Sequence, residues 1–136
     1  MSKLTIRCMW AAIIFLIIGM SLGVWFALSR VNGAIYRPLH AELNIWGWVT
    51  LLIYGMAYHM LPRFTGRTLA SPRMAEFQSW LAIAGVAGAT VGWWGWLNTG
   101  NQSFRWILAI SGITQTLAAL LFAWLMLGLL RLEARG

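Results

Sequence analysis

The chain has 136 residues, 60% of them hydrophobic, and a formal net charge of +7. With only three acids, Glu42, Glu76 and Glu133, and a mean hydropathy of +0.72, it carries more apolar surface than a soluble domain of this size can hide, so a bilayer is its solvent. The basic residues sit at the ends of apolar runs and form no interleaved patch, which argues against nucleic acid as a partner, and the single cysteine, Cys8, excludes an intrachain disulfide.

Crossing the hydrocarbon takes about 20 apolar residues per helix. Four runs qualify. The first, 8–29, is too long for a signal-peptide core and lacks a small-residue cleavage site, so it reads as a retained helix. Gly19 and Gly23 form a G-x-x-x-G within it, a spacing that lets helix backbones approach closely. The loop SRVNGAIYRP carries an Asn-Gly turn signal, and Pro38 suits the first turn of the second helix, 38–61, which is expected to end near Pro62. The basic loop RFTGRTLASPR comes next, with Pro72 and Ser71 just outside a third helix at 77–97. That helix holds Gly85, Gly88, Ala89 and Gly92 in packing register. The short loop NTGNQS then predicts that the third helix and the fourth, 106–130, are antiparallel neighbours. Gln115 falls near the middle of the fourth helix and needs a hydrogen-bond partner, expected on another helix, with a ligand-site role as the other reading.

The expectation is an all-α integral membrane four-helix bundle, a single transmembrane domain over 1–136. Lys3, Arg7, Arg63, Arg67, Arg73, Arg131 and Arg135 fall on one side, and Arg30, Arg37 and Arg105 on the other. The positive-inside rule then places both termini in the cytoplasm.

The only two histidines, His40 and His59, lie near opposite ends of the second helix. Nineteen residues of α-helical rise put them about 28 Å apart, so one helix cannot bring both to one iron. On a wheel of about 100° per residue, His40, Asn44, Gly47, Leu51, Gly55 and Tyr58 share a face, and Gly47 and Gly55 are expected to leave it flat and open for a porphyrin. Trp46 and Trp48 lie deeper than an aromatic belt requires and are candidates to wall the same pocket. His59, beside Tyr58, Met60, Pro62 and Arg63, reads mainly as an interfacial residue, with a second metal site as the other reading. Glu42 is expected to pair with Arg30, Arg37 or Arg105.

The run RPLHAELNIWGWVTLLIYGMAYHMLPRFTGR resembles helix two of the catalytic subunit of the haem-copper oxidase superfamily, in particular the cbb-type oxidases and nitric oxide reductases. The pieces that carry the resemblance are Arg37, Leu39-His40, Gly47-Trp48, Gly55 with Tyr58, Leu61-Pro62-Arg63 and Gly66-Arg67. The resemblance implies that His40 is an axial ligand of a noncovalent haem b, consistent with the missing C-x-x-C-H attachment. Arg37, one turn earlier, is placed to neutralise a propionate. Asn44, Gly47, Trp48 and Gly55 are then the expected cofactor contacts.

The departures matter as much. The family's further histidines, for copper, the high-spin haem and the other side of the low-spin haem, have no counterparts here, and His59 stands where a Tyr or similar residue is expected. The chain is therefore not expected to reduce oxygen or nitric oxide by itself. The reading is a haem-b-binding electron-transfer protein of the bacterial cytoplasmic membrane, in contact with lipid and associated with a respiratory complex. A homodimer would let two copies of His40 share one iron about a twofold axis. A gas sensor or carrier for nitric oxide or oxygen, with an open sixth position, is one alternative. A haem-free accessory or assembly subunit of a terminal oxidase is another.

Overall fold

The structure, a computed structural model, describes residues 2–29 and 33–131, with the side chain of Arg131 excepted. Arg30, Asn32, Glu133 and Arg135 lie outside the described residues. Among the described residues all regular structure is helical.

Helix α1 spans Lys3–Leu28 and starts where Ser2 caps it, its Oγ accepting from Thr5 N–H at 3.2 Å. Helix α2 is continuous but changes character twice. It is α-helical over Arg37–Ala41, π-helical over Glu42–Thr50 and α-helical again over Leu51–Phe64. Helix α3 spans Pro72–Thr99, with Ser71 as its N-cap and Pro72 in its first turn. Helix α4 spans Gln102–Arg131.

Each helix overruns its apolar stretch. Caps and turn residues, not hydropathy, set the ends. Pro62 does not stop α2, because it lies in the last turn, and the chain leaves the helix at Gly66 (φ +64°). There Arg67 N–H reaches back to the Pro62 carbonyl at 3.0 Å, a Schellman closure. Gly100 (φ +66°) ends α3 in the same left-handed conformation.

α1, α3 and part of α4 (Gln102–Leu130) are long and apolar enough to cross a membrane. The burial pattern is that of a protein in lipid. Large apolar side chains such as Trp10, Ile17, Ile53, Ile113 and Trp124 point outward, while small or polar residues such as Cys8, Ala12, Thr5, Gln78, Ser79 and Gln115 are buried. Lipid supplies no hydrophobic force between helices, so close packing and interhelical hydrogen bonds hold them together.

Two pairs of helices result, α1 with α2 and α3 with α4. In the second pair the G-x-x-x-G register is used as expected. A methyl on Gly85 would meet Gln115, and one on Gly92 would meet Leu108, within 2.8 Å in each case. The pairs are joined by polar contacts. Tyr58 Oη donates to Gln78 Oε1 at 2.9 Å, and Gln78 Nε2 donates to the Ala118 carbonyl at 3.1 Å, tying α2, α3 and α4 at one buried point. Gln115 finds its partner in Glu42, whose Oε1 accepts from Gln115 Nε2 at 2.5 Å. Of the arginines expected to pair with Glu42, Arg37 and Arg105 form no ion pair with it, and Arg30 lies outside the described residues. The α4-facing side of α2 presents its carboxylate to an amide from the neighbouring helix. Arg7 of α1 instead stacks over Trp80 of α3, 4.6 Å from the ring centre.

These contacts set how well each position tolerates substitution. Gly47→Val should cost about 1–3 kcal/mol, because its added carbons would overlap Phe15 (the Cβ alone comes within 2.7 Å). Gly112→Ala, inside α4 where nothing lies within 4 Å, should be neutral to stabilising, by up to about 1 kcal/mol. Gln115→Leu, which strands Glu42, should cost about 1 kcal/mol. Reversible unfolding in mixed micelles, monitored by helical circular dichroism, checks all three.

Candidate functional site

The site is built on the seam between α1 and the first half of α2. His40 is half-buried, and its ring lies over Gly23 of α1. A methyl at Gly23 would come within 3.0 Å of His40 Cε1. One turn along α2, Asn44 lies over Gly19 in the same way, 2.6 Å from where a methyl would be. The G-x-x-x-G of α1 is therefore a cradle for two polar side chains of α2.

Asn44 Nδ2 donates to the His40 carbonyl at 2.8 Å. It also lies 3.4 Å from His40 Nδ1 and 3.5 Å from Nε2. Near-equal distances to both ring nitrogens put the amide over the ring face, away from the in-plane directions in which an imidazole bonds. Both ring nitrogens thus lack an in-plane hydrogen-bond partner among the described residues.

An aromatic cluster closes the loop-side end of this site. The Phe26 ring centre is 6.2 Å from that of His40 and 5.4 Å from that of Tyr36. Trp25 stands edge-on to Tyr36 at 5.6 Å, and Trp94 of α3 lies 6.1 Å from Tyr36. Tyr36 Oη donates to Asn98 Oδ1 at 3.1 Å. The cluster joins the end of α1, the start of α2 and the end of α3, and so holds the helix end that carries His40. Sequence alone does not pick out Tyr36, Phe26 and Gly23 as site residues. Gly23 reads there only as a packing residue, since facing His40 requires the antiparallel register of α1 on α2.

The glycine face of α2 differs from expectation. Gly47 and Gly55 do lie on the side of His40, but that side is not open. Phe15 of α1 fills the space at Gly47, and Cys8 fills it at Gly55, 3.0 Å from where a methyl would sit. These glycines make room for α1, so a flat cofactor face there is corrected to a helix contact. Leu51 and Tyr58, assigned to the same face, turn toward α3 and α4 instead. Leu51 lines a small cavity with Ala82, Val86 and Gln115, and Tyr58 bonds to Gln78. The π-helical segment accounts for this, because its wider turn advances each residue by a smaller angle and a 100° wheel misplaces the residues beyond it. Thr50 shows the wider spacing, its Oγ1 donating to the Ile45 carbonyl five residues back at 2.9 Å.

The other candidates are dispersed. Trp48 is half-buried and packed against the core, while Trp46 is more exposed and borders the small cavity beside Gln115. Arg37 is exposed at the start of α2. His59 is at the far end, where its Nε2 is 2.7 Å from the Arg63 guanidinium that donates to it. Among the described residues no three His, Cys, Asp or Glu gather at one point. At His40 the chain offers one imidazole donor, in a cradle that a side chain at Gly23 would fill. One imidazole of this kind fits a haem, which His40 would hold and which would supply redox chemistry when bound.

No curated protein and no solved structure gives a significant match to this chain. A family comparison does, over residues 3–134, which is nearly the whole chain and all four helices. Together with the α2 motif that carries His40, this match shows that the chain belongs to the cytochrome c and quinol oxidase polypeptide I family, the haem-copper oxidases, as a fragment-sized member.

Proposed function

We propose that this membrane protein binds haem b through His40 and passes electrons within a respiratory assembly. The observation that carries the reading is the His40 imidazole itself. It is half-buried in a glycine cradle, has no in-plane partner among the described residues, and stands where the resemblance of its helix to the haem-copper oxidases implies a haem ligand. The haem supplies the redox chemistry when bound. His40 would hold it, Phe26 and Tyr36 beside His40 would line the site, and Arg37, exposed at the start of α2, would pair with a carboxylate of the bound group. A second copy presenting its own His40 about a twofold axis would supply a further ligand, with a methionine or an open position as the other arrangements. His59 is assigned to the interface through its bond with Arg63 rather than to a second haem.

One observation favours a second reading. The glycine face of α2 is filled by α1, as a haem-free accessory subunit built only for packing would have it. Spectra separate the two. Purified protein supplied with haem should show a reduced b-type α-band, with about half a haem per chain if two copies share an iron. His40→Ala should lose that band and recover it with added imidazole, while His59→Ala keeps it. Protein that stays colourless with haem supplied supports the accessory reading.

For orientation, the cations of the described residues support a cytoplasmic side at Lys3, Arg7, Arg63, Arg67 and Arg73, opposite Arg37 and Arg105. The native thiol, Cys8, is fully buried and gives little background. Asn101→Cys should therefore react with an impermeant maleimide in intact cells, and Thr68→Cys only after the membrane is opened.

A further inference from the structure

Where α1 and α3 begin and α2 finishes, the bundle end carries an open cleft of about 310 Å³. Its wall is largely apolar, with Leu4, Tyr58 and Leu69 on three sides. Its charged lining residues are Lys3, Arg67 and Glu76, which leaves a net charge of one positive. None of the three side chains has a hydrogen-bond or ion-pair partner among the described residues. Tyr58 is buried, and its hydroxyl is already committed to Gln78, so the wall it forms offers no free donor.

This combination selects an amphiphile. A free anion would bind at the cations and leave the apolar wall wet. A neutral apolar molecule would leave two unpaired cations beside it. A zwitterionic head brings no net charge to match the excess cation. We propose that the cleft binds the headgroup and glycerol backbone of an anionic phospholipid, with the phosphate at Lys3 and Arg67 and the apolar part on the Leu4–Leu69 wall. The setting is suited to it, because basic pockets between membrane helices at the headgroup level attract anionic lipid. The bound lipid would bridge three helices at the end of the bundle that the α3–α4 turn does not close.

The full-length protein, stripped of lipid in detergent, is titrated with phosphatidylglycerol, phosphatidylethanolamine or phosphatidylcholine and read by native mass spectrometry. Phosphatidylglycerol should be retained at about one per chain and bind at least about tenfold more tightly than either zwitterionic lipid. Each cation contributes about fivefold, so the K3Q/R67Q variant should lose about thirtyfold and fall to the level of phosphatidylcholine. Leu69→Trp, which fills the cleft and leaves the charges in place, should also block retention. Millimolar inorganic phosphate should not displace the lipid. Equal affinity for the three lipids overturns the proposal, as does unchanged binding by a K3Q/R67Q variant with native helical content. Displacement by phosphate also overturns it, because that result describes an ion site.

Discussion

The seam between α1 and α2 is the contact on which the rest depends. It is reciprocal: Gly19 and Gly23 of α1 receive Asn44 and His40 of α2, and Gly47 and Gly55 of α2 receive Phe15 and Cys8 of α1. In water, hydrophobic burial would bring two such helices together. In lipid it cannot, and the gain comes from atoms in close contact along a line where each helix is narrow. The same line places an imidazole at its loop-side end, over the bare Cα of Gly23. Packing and site are therefore one feature, and a bulky residue at Gly23 would disturb both.

Polar groups join this seam to the other helix pair. Glu42 faces away from His40 and bonds to Gln115 of α4, while Gln78 of α3 takes the Tyr58 hydroxyl and gives its amide to the Ala118 carbonyl. Each of these groups would be costly if left bare in hydrocarbon, so each fixes a neighbour as well as a distance. The π-helical stretch Glu42–Thr50 lies between these two polar ties. Its wider turn lets one helix present His40, Asn44 and Gly47 to α1 while Glu42, Leu51 and Tyr54 face α4. Such segments concentrate at functional sites, and here it begins two residues after the only histidine near this end of the bundle.

Membership of the haem-copper oxidase family frames these features without transferring the family's chemistry. What the structure adds to the family is a single imidazole at one end of the α1–α2 seam, and the proposed haem rests on it. Large apolar side chains are exposed on every helix, which suits lipid, another copy or a larger membrane complex.

Much of this was legible in the residues. Apolar runs separated by Gly, Pro and basic loops determine four helices, because spanning hydrocarbon requires length and leaves no alternative backbone. The motif around His40 carries the family, and the short NTGNQS loop carries the antiparallel α3–α4 pair. Three things were decided only by the tertiary structure. The π-helical turn has no local signature, since no proline or glycine pair forces it, and it undid the wheel that grouped Leu51 and Tyr58 with His40. Glu42 bonds to Gln115 on a helix distant in sequence, a partner that charge counting does not point to. The glycines of α2 could equally have bared a face or admitted a neighbour. A glycine states only that space is needed, and the register of α1 decided what fills it.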